Sequence, residues 1–300
     1  AQQSVLDTHP KHLFETGKSL FEAKNYPAAS RCLEDALHTG AFAGTETERQ
    51  AHNYVALSAF YQQKDDAAHL LEEYAEHYPY ASNIEQVQLY IGILELEEGK
   101  NKPALNRFEK IRLSQLDAQD GMALQYYRGV AYSKQKKYDK AAYELGQLLK
   151  SGAGSYQENA TYYYGYAQYQ LGNYTEALAS LKKIENTPAF KQHAPYLICQ
   201  LYFLQDNCEK ATEYGSKLLD QKATGTKSER QKAEKQKAEI MRIMGTCAFR
   251  NQQYQQAANY LEDYQKLTQR ISREDWYLLG MAYYQLQQYD KAITALSKTT

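Results

Sequence analysis

A small residue followed nine positions later by Tyr, and twelve positions later by Ala, recurs along this chain. Self-similarity at a fixed period limits the fold to stacked copies of one supersecondary unit. The last copy is the clearest: Trp276, Leu279, Gly280, Tyr283, Tyr289, Ala292, Leu296. Upstream come Gly245/Tyr254/Ala257/Leu261, Cys199/Cys208/Ala211, Gly165/Tyr174/Ala177/Leu181, Gly129/Tyr138/Ala141/Leu145, Gly92/Asn101/Ala104/Phe108 and Gly17/Tyr26/Ala29/Leu33. A degenerate copy surrounds Ala56 and Ala68. The lead residues are 17, 56, 92, 129, 165, 199, 245 and 280, with gaps of 39, 36, 37, 36, 34, 46 and 35. Only 16 Gly and 6 Pro occur in 300 residues, too few for a many-turned β fold.

These residues resemble the tetratricopeptide repeat, a 34-residue motif of Trp, Leu, Gly, Tyr, Ala, Phe, Ala and Pro. Trp276, Leu279, Gly280, Tyr283, Ala292 and Leu296 fill its first six places, with Leu for Phe in the sixth. The resemblance implies an all-α fold, a right-handed superhelical solenoid of about eight helix pairs. In motif numbering the lead residue is the eighth place. Gly at the eighth place and Ala at the twentieth are expected where the two helices approach most closely. Tyr at the seventeenth opens the second helix. Polar turns such as Lys24-Asn25, Gly99-Lys100-Asn101, Gln135-Lys136-Lys137, Gly172-Asn173 and Gln287-Gln288 separate the helices. A lone pair cannot bury its apolar face, so neighbours must stack.

The repeats divide the chain into units one to six over residues 1–221, a basic segment over 222–237, and units seven and eight over 238–300. Lys222, Lys227, Arg230, Lys232, Lys235 and Lys237 make that segment either a helix extension or an exposed loop. After Lys298-Thr299-Thr300 no polar capping helix follows. The expectation is a truncated longer array, or an uncapped end that self-associates. The start Ala1-Gln2-Gln3 fits a cleaved secretory signal and a periplasmic or envelope location, or else an arbitrary boundary with a cytoplasmic location.

Chemistry is sparse. No phosphate loop or nucleophile elbow occurs. No HExxH joins any of the seven His, and paired carboxylates such as Glu72-Glu73 point apart on a helix. The four Cys (Cys32, Cys199, Cys208, Cys247) fit neither a zinc spacing nor a disulfide framework. Cys199 and Cys208 replace the small residue and the Tyr of unit six; they read as packing residues, with a redox pair as the alternative. No catalytic residue, cofactor or metal is assigned, and an enzyme is not expected. The 35 basic and 36 acidic side chains argue against a nucleic-acid partner. A mean hydropathy of −0.74 with no long apolar run gives no transmembrane segment. Charge is uneven, acidic from Asp65 to Glu98 and basic from Lys222 to Arg250, which suits partner orientation or end-to-end assembly.

The resemblance places the second, fifth, ninth, twelfth and thirteenth positions of each unit on a concave groove. The fifth and twelfth are two helical turns apart and share a face. They hold Phe14 and Phe21; Asn53 and Phe60; Leu89 and Leu96; Tyr126 and Ser133; Tyr162 and Tyr169; Tyr196 and Phe203; Arg242 and Phe249; Tyr277 and Tyr284. Eleven of these 16 are aromatic against 13% for the chain, so the enrichment singles out this face. With Tyr166 added, the candidate partner-binding residues are Tyr126, Tyr162, Tyr166, Tyr169, Tyr196, Phe203, Phe249, Tyr277 and Tyr284. Rigid rings that bury large area with few torsions suit capture of a peptide or an amphipathic helix. The alternatives are rings that merely brace neighbouring helices, an assembly module of a longer envelope protein, and a carbohydrate-binding strip. A chaperone-type carboxylate clamp would need Lys and Asn where unit one has Phe14 and Lys18, so that function is not expected.

Overall fold

The computed structural model describes residues 9–220, 226–268 and 270–299, apart from the side chain of Glu229. The Ala1-Gln2-Gln3 start, Lys222 and Thr300 lie outside the described residues. Among the described residues the chain is all-α, without strands. Two compact bodies divide it, residues 1–144 and 145–300.

In the first body α1 (Pro10–Glu22) pairs with α2 (Tyr26–His38), α3 (Glu46–Tyr61) with α4 (Ala67–His77), and α5 (Ile84–Glu97) with α6 (Asn101–Phe108). α7 (Ala118–Lys134) and the first half of α8 (Tyr138–Ser151) complete it. In the second body the pairs are α9 (Gln157–Gln170) with α10 (Tyr174–Ile184), α11 (Ala194–Leu204) with α12 (Cys208–Leu219), α13 (Lys227–Arg250) with α14 (Tyr254–Leu267), and α15 (Arg273–Gln285) with α16 (Tyr289–Leu296). Within each body, the second helix of one pair packs on the first helix of the next. First helices are therefore surrounded: α5 buries Val87, Leu89, Tyr90, Ile91, Ile93 and Leu96, which point around its whole circumference. Second helices keep one face in water: α2 buries only Ala29, Ser30, Leu33 and Ala36, at helical spacing.

The turn inside every pair has the same backbone. Residues 24, 63, 99, 136, 172, 206, 252 and 287, each seven after a lead residue, adopt positive φ. Only Gly99 and Gly172 are glycines among them. In each turn the next N–H bonds back to the carbonyl five residues earlier, as in Asn25 to Leu20, Lys64 to Ala59 and Gln288 to Tyr283. This closes a Schellman-type cap that satisfies the end of the first helix. The degenerate second unit keeps the turn but has a shorter spacing into its second helix. Ala67 rather than Ala68 is the buried alanine, four residues before the buried Leu71.

The close approach differs from expectation in its partner. A Cβ on the lead glycine would stand 2.6 Å from Leu33 at Gly17, 2.5 Å from Phe108 at Gly92, 2.7 Å from Leu261 at Gly245 and 2.6 Å from Leu296 at Gly280. The nearest neighbour of the lead glycine is thus the large residue at the twenty-fourth place, and at Gly245 the backbone carbonyl of the twentieth-place Ala257 follows at 3.4 Å. The twentieth-place alanine is itself fully buried at Ala29, Ala104, Ala141, Ala177, Ala211 and Ala257. A large side chain can fill the seam only because glycine leaves the room.

The basic segment is helical from Lys227 on, where α13 starts and runs for 24 residues. Lys227, Arg230, Lys232 and Lys235 are exposed along it.

One buried acid marks the first body. Asp120, in the first turn of α7, accepts hydrogen bonds from Gln86 Nε2 (2.7 Å) and the Tyr90 hydroxyl (2.8 Å), and the Tyr61 and Tyr90 hydroxyls meet at 2.9 Å. Burial raises its carboxyl above the ordinary range, and the two donors only partly oppose this. A raised folded-state value favours the protonated form. Its contribution to stability is complete below the unfolded carboxylate value and is lost as pH rises through the folded one. Wild type is therefore expected to lose urea stability relative to Asp120→Asn as pH climbs through the carboxylate range. A difference between the two that stays constant with pH would refute this.

Candidate functional site

The second body carries most of the candidate residues, on first helices. α9 supplies three. Tyr162 stacks on Phe190 with centroids 4.8 Å apart, and Tyr166 lies 6.4 Å from Tyr169. α11 supplies Tyr196, whose hydroxyl accepts from Gln200 Nε2 at 3.0 Å, and Phe203. Tyr162, Tyr166, Tyr169 and Tyr196 all pack against the buried cluster of Ala177, Leu181, Ile184, Leu197 and Ile198. All four are half-buried: each ring is held on one side while part of it faces water.

Burial sets their protonation. It pushes Tyr196 up to about 12, with Glu239 adding to the effect. Burial likewise raises Tyr162 and Tyr169, helped by neighbouring phenols and, at Tyr169, by Glu239. At neutral pH these rings offer neutral hydroxyls, able to donate or accept.

A charge pair borders the strip. On α13 the Arg242 guanidinium pairs with Glu239 at 2.7 and 3.0 Å and lies 3.8 Å from Asp275. Phe203 receives two cations on its faces, Arg242 at 5.6 Å and Arg250 at 5.1 Å from its centroid. Phe249 is half-buried and meets Tyr254 edge-on at 5.6 Å. Tyr277 and Tyr284 on α15 are 52% and 53% exposed, the most open of the set. Tyr126 belongs to the first body, half-buried and edge-on to Tyr127 at 5.0 Å.

The fifth and twelfth places do not behave alike throughout. Phe14, Leu89, Leu96 and Ser133 are buried, so both places serve the core in unit three and one of the two does so in units one and four. The first body instead builds an aromatic cluster that the fifth and twelfth places reveal only in part, through Phe21 and Phe60 at the twelfth. Phe21, Tyr26, Tyr54, Phe60, Tyr61 and Tyr90 form a chain of ring contacts, including Phe60 on Tyr90 at 4.2 Å and 2° and Tyr26 on Tyr61 at 4.9 Å. Tyr54 and Tyr90 occupy the sixth place and Tyr61 the thirteenth. Tyr61 at the thirteenth place, a groove position, next to Phe60 at the twelfth, is the signal that could have found it.

The cysteines also correct the sequence reading. Cys208 is not a packing residue beside Cys199; it forms a disulfide with Cys247, 39 residues on, with Cα atoms 5.3 Å apart. The seventeenth place of unit six faces α13, which brings Cys247 against it. Cys199 does pack: it is fully buried, its thiol donates to the Ala211 carbonyl at 3.3 Å, and burial raises it to about 12. Among the described residues no helix is long and apolar enough to cross a membrane.

A family model described as tetratricopeptide repeat matches residues 91–158 and 149–189. A second, described as anaphase-promoting complex, cyclosome, subunit 3, matches residues 205–299. No curated protein matches the sequence. Among solved structures, the apo form of the quorum sensor NprR from B. thuringiensis is similar at a TM-score of 0.56 and 16% identity, over 85% of this chain and 76% of that one. NprR in complex with its cognate peptide NprX aligns at 0.50 and 17% identity, over 85% and 78%. PilF of Pseudomonas aeruginosa aligns at 0.50 and 14% identity, over 70% and 88%. At these identities the likeness bears on the fold.

Proposed function

Since the chain belongs to the tetratricopeptide repeat family, a family of protein-interaction scaffolds, we propose that its second body captures a peptide or a helix along the rings of α9, α11 and α13. The observation that carries this reading is the half-burial of Tyr162, Tyr166, Tyr169 and Tyr196. Each ring is fixed by the core beneath it, so little conformational entropy is lost when a partner covers the remainder. Their neutral hydroxyls and the Glu239–Arg242 pair add polar contacts beside the apolar surface. NprR shows that a fold of this kind can hold a peptide. An oxidising compartment, periplasm or envelope, agrees with the Cys208–Cys247 disulfide, because such bonds persist outside the cytosol.

A Tyr162/Tyr166/Tyr169 triple Ala variant is expected to retain at least about tenfold less partner than wild type in a pull-down from envelope extract. Circular dichroism checks that it still folds, and Tyr277/Tyr284 double Ala, on exposed rings, serves as a second variant. Equal retention of the same proteins by the folded triple variant would sink the reading. The second reading, an assembly module, is favoured by exposed Tyr277, Tyr284, Tyr289 and Ile293 on α15 and α16.

A further inference from the structure

Two units carry a cleft at corresponding positions on the flank of the first helix, the second of them also lined by Glu262 and Gln265 of the preceding unit's α14. In unit three the cleft has a volume of about 480 Å³ and is lined by Gln88, Glu95, Arg107 and Lys110. In unit eight the equivalent positions, each 188 residues on, are Trp276, Tyr283, Ala295 and Lys298, and the volume is about 440 Å³. The occupants differ in kind. Arg107 reaches across its cleft to Glu95 at 2.9 Å and to Gln88. In unit four the same position is Glu144, paired with Arg128 at 2.9 Å. Unit eight has the buried Ala295 there, so no side chain crosses from that position; the cations that reach the first helix are Lys291, over the Tyr283 ring at 5.2 Å, and Lys298.

The cleft has an apolar floor, the Trp276 ring over the buried Leu279 and Ala295, with polar sides and Lys298 at one end. Lys298 Nζ stands 4.1 Å from the centroid of the Trp276 ring, and no carboxylate pairs with it among the described residues. Two acids, Glu262 and Asp290, also line the cleft. Glu262 accepts the Tyr283 hydroxyl at 2.6 Å and lies 3.9 Å from Lys291. Asp290 is eight residues from Lys298, roughly 12 Å along a helix.

We propose that this cleft binds a small organic monocarboxylate with an aromatic or branched aliphatic body. The carboxylate pairs with Lys298, and the body takes the place of the ammonium against the Trp276 face. Glu262 and Asp290 repel the acid from the other end and so fix its direction. Neither the cleft nor its ligand depends on the ring strip of α9 and α11.

Trp276 is the only tryptophan, so its emission reports on this cleft alone. N-acetylphenylalanine should change that emission saturably in the millimolar range or below, and its amide should bind at least about tenfold more weakly. Lys298→Met, which keeps the stem and loses the charge, should abolish the difference between acid and amide. Ala295→Arg, which restores the side chain of unit three, should remove the response altogether. No saturable change up to about 10 mM, equal binding of acid and amide, or unaltered discrimination by Lys298→Met would overturn the proposal. So would binding by a peptide ending in phenylalanine when the free acid fails to bind.

Discussion

Phe108→Ala is expected to destabilise the first body by about 3–5 kcal/mol, the range for emptying a fully buried aromatic site. Phe108 is 0% exposed at the end of α6, and its ring lies where a Cβ on Gly92 would fall, 2.5 Å from the nearest ring carbon. The two positions are therefore coupled, and a cycle tests the seam itself. Gly92→Ala alone should cost about 1–3 kcal/mol from overpacking, against a gain of at most about 1 kcal/mol in helix propensity. In the Phe108→Ala background the clash is gone and the new methyl enters the cavity, so the same substitution should stabilise. Urea unfolding followed by far-ultraviolet circular dichroism is the measurement, because the single tryptophan reports on the second body. The seam explanation fails if Gly92→Ala has the same sign in both backgrounds.

This seam also shows why so much of the fold could be read from sequence. The eighth-place glycines and the twenty-fourth-place Leu or Phe are short-range partners, sixteen residues apart, and recur with each unit. The turn seven residues after each lead residue is equally local, and it survives in the degenerate unit at Gln63 and across the long gap at Gln252. Periodicity therefore places the helices even where side-chain identity has drifted. The candidate site was less legible, since exposure is set by what lies across from a residue. Leu89 and Tyr277 share the fifth place, yet the first is fully buried and the second half open. The aromatic chain through Tyr54, Tyr61 and Tyr90 joins three units, and counting within one unit does not reveal it. The paired cysteines stand at unrelated places of successive units, the seventeenth and the tenth, so the repeat gives no signal for them.

That disulfide supports the second large expectation. Reduction of Cys208–Cys247, or Cys208→Ser, should cost the second body about 3–4 kcal/mol, because the bond closes a 39-residue loop in the unfolded chain. The loop holds the long basic segment, the largest departure from the repeat period, so the cross-link acts where the unfolded chain has the most freedom to lose. For a body of this size the loss corresponds to a fall in Tm of roughly 10 °C. Thermal unfolding with and without a phosphine reductant checks it, and Cys208→Ser without reductant should match reduced wild type. Cys247→Ser should be worse than either, since Cys247 is fully buried beside Ile243 and Cys199 and the serine hydroxyl would be stranded there. Cys199 should not substitute for either partner. Burial pushes its thiol up to about 12, so almost no thiolate exists to attack a neighbouring disulfide at neutral pH. Reoxidation should therefore regenerate the 208–247 pair and the original Tm, and peptide mapping that found Cys199 in a mixed pair would contradict this account of the three cysteines.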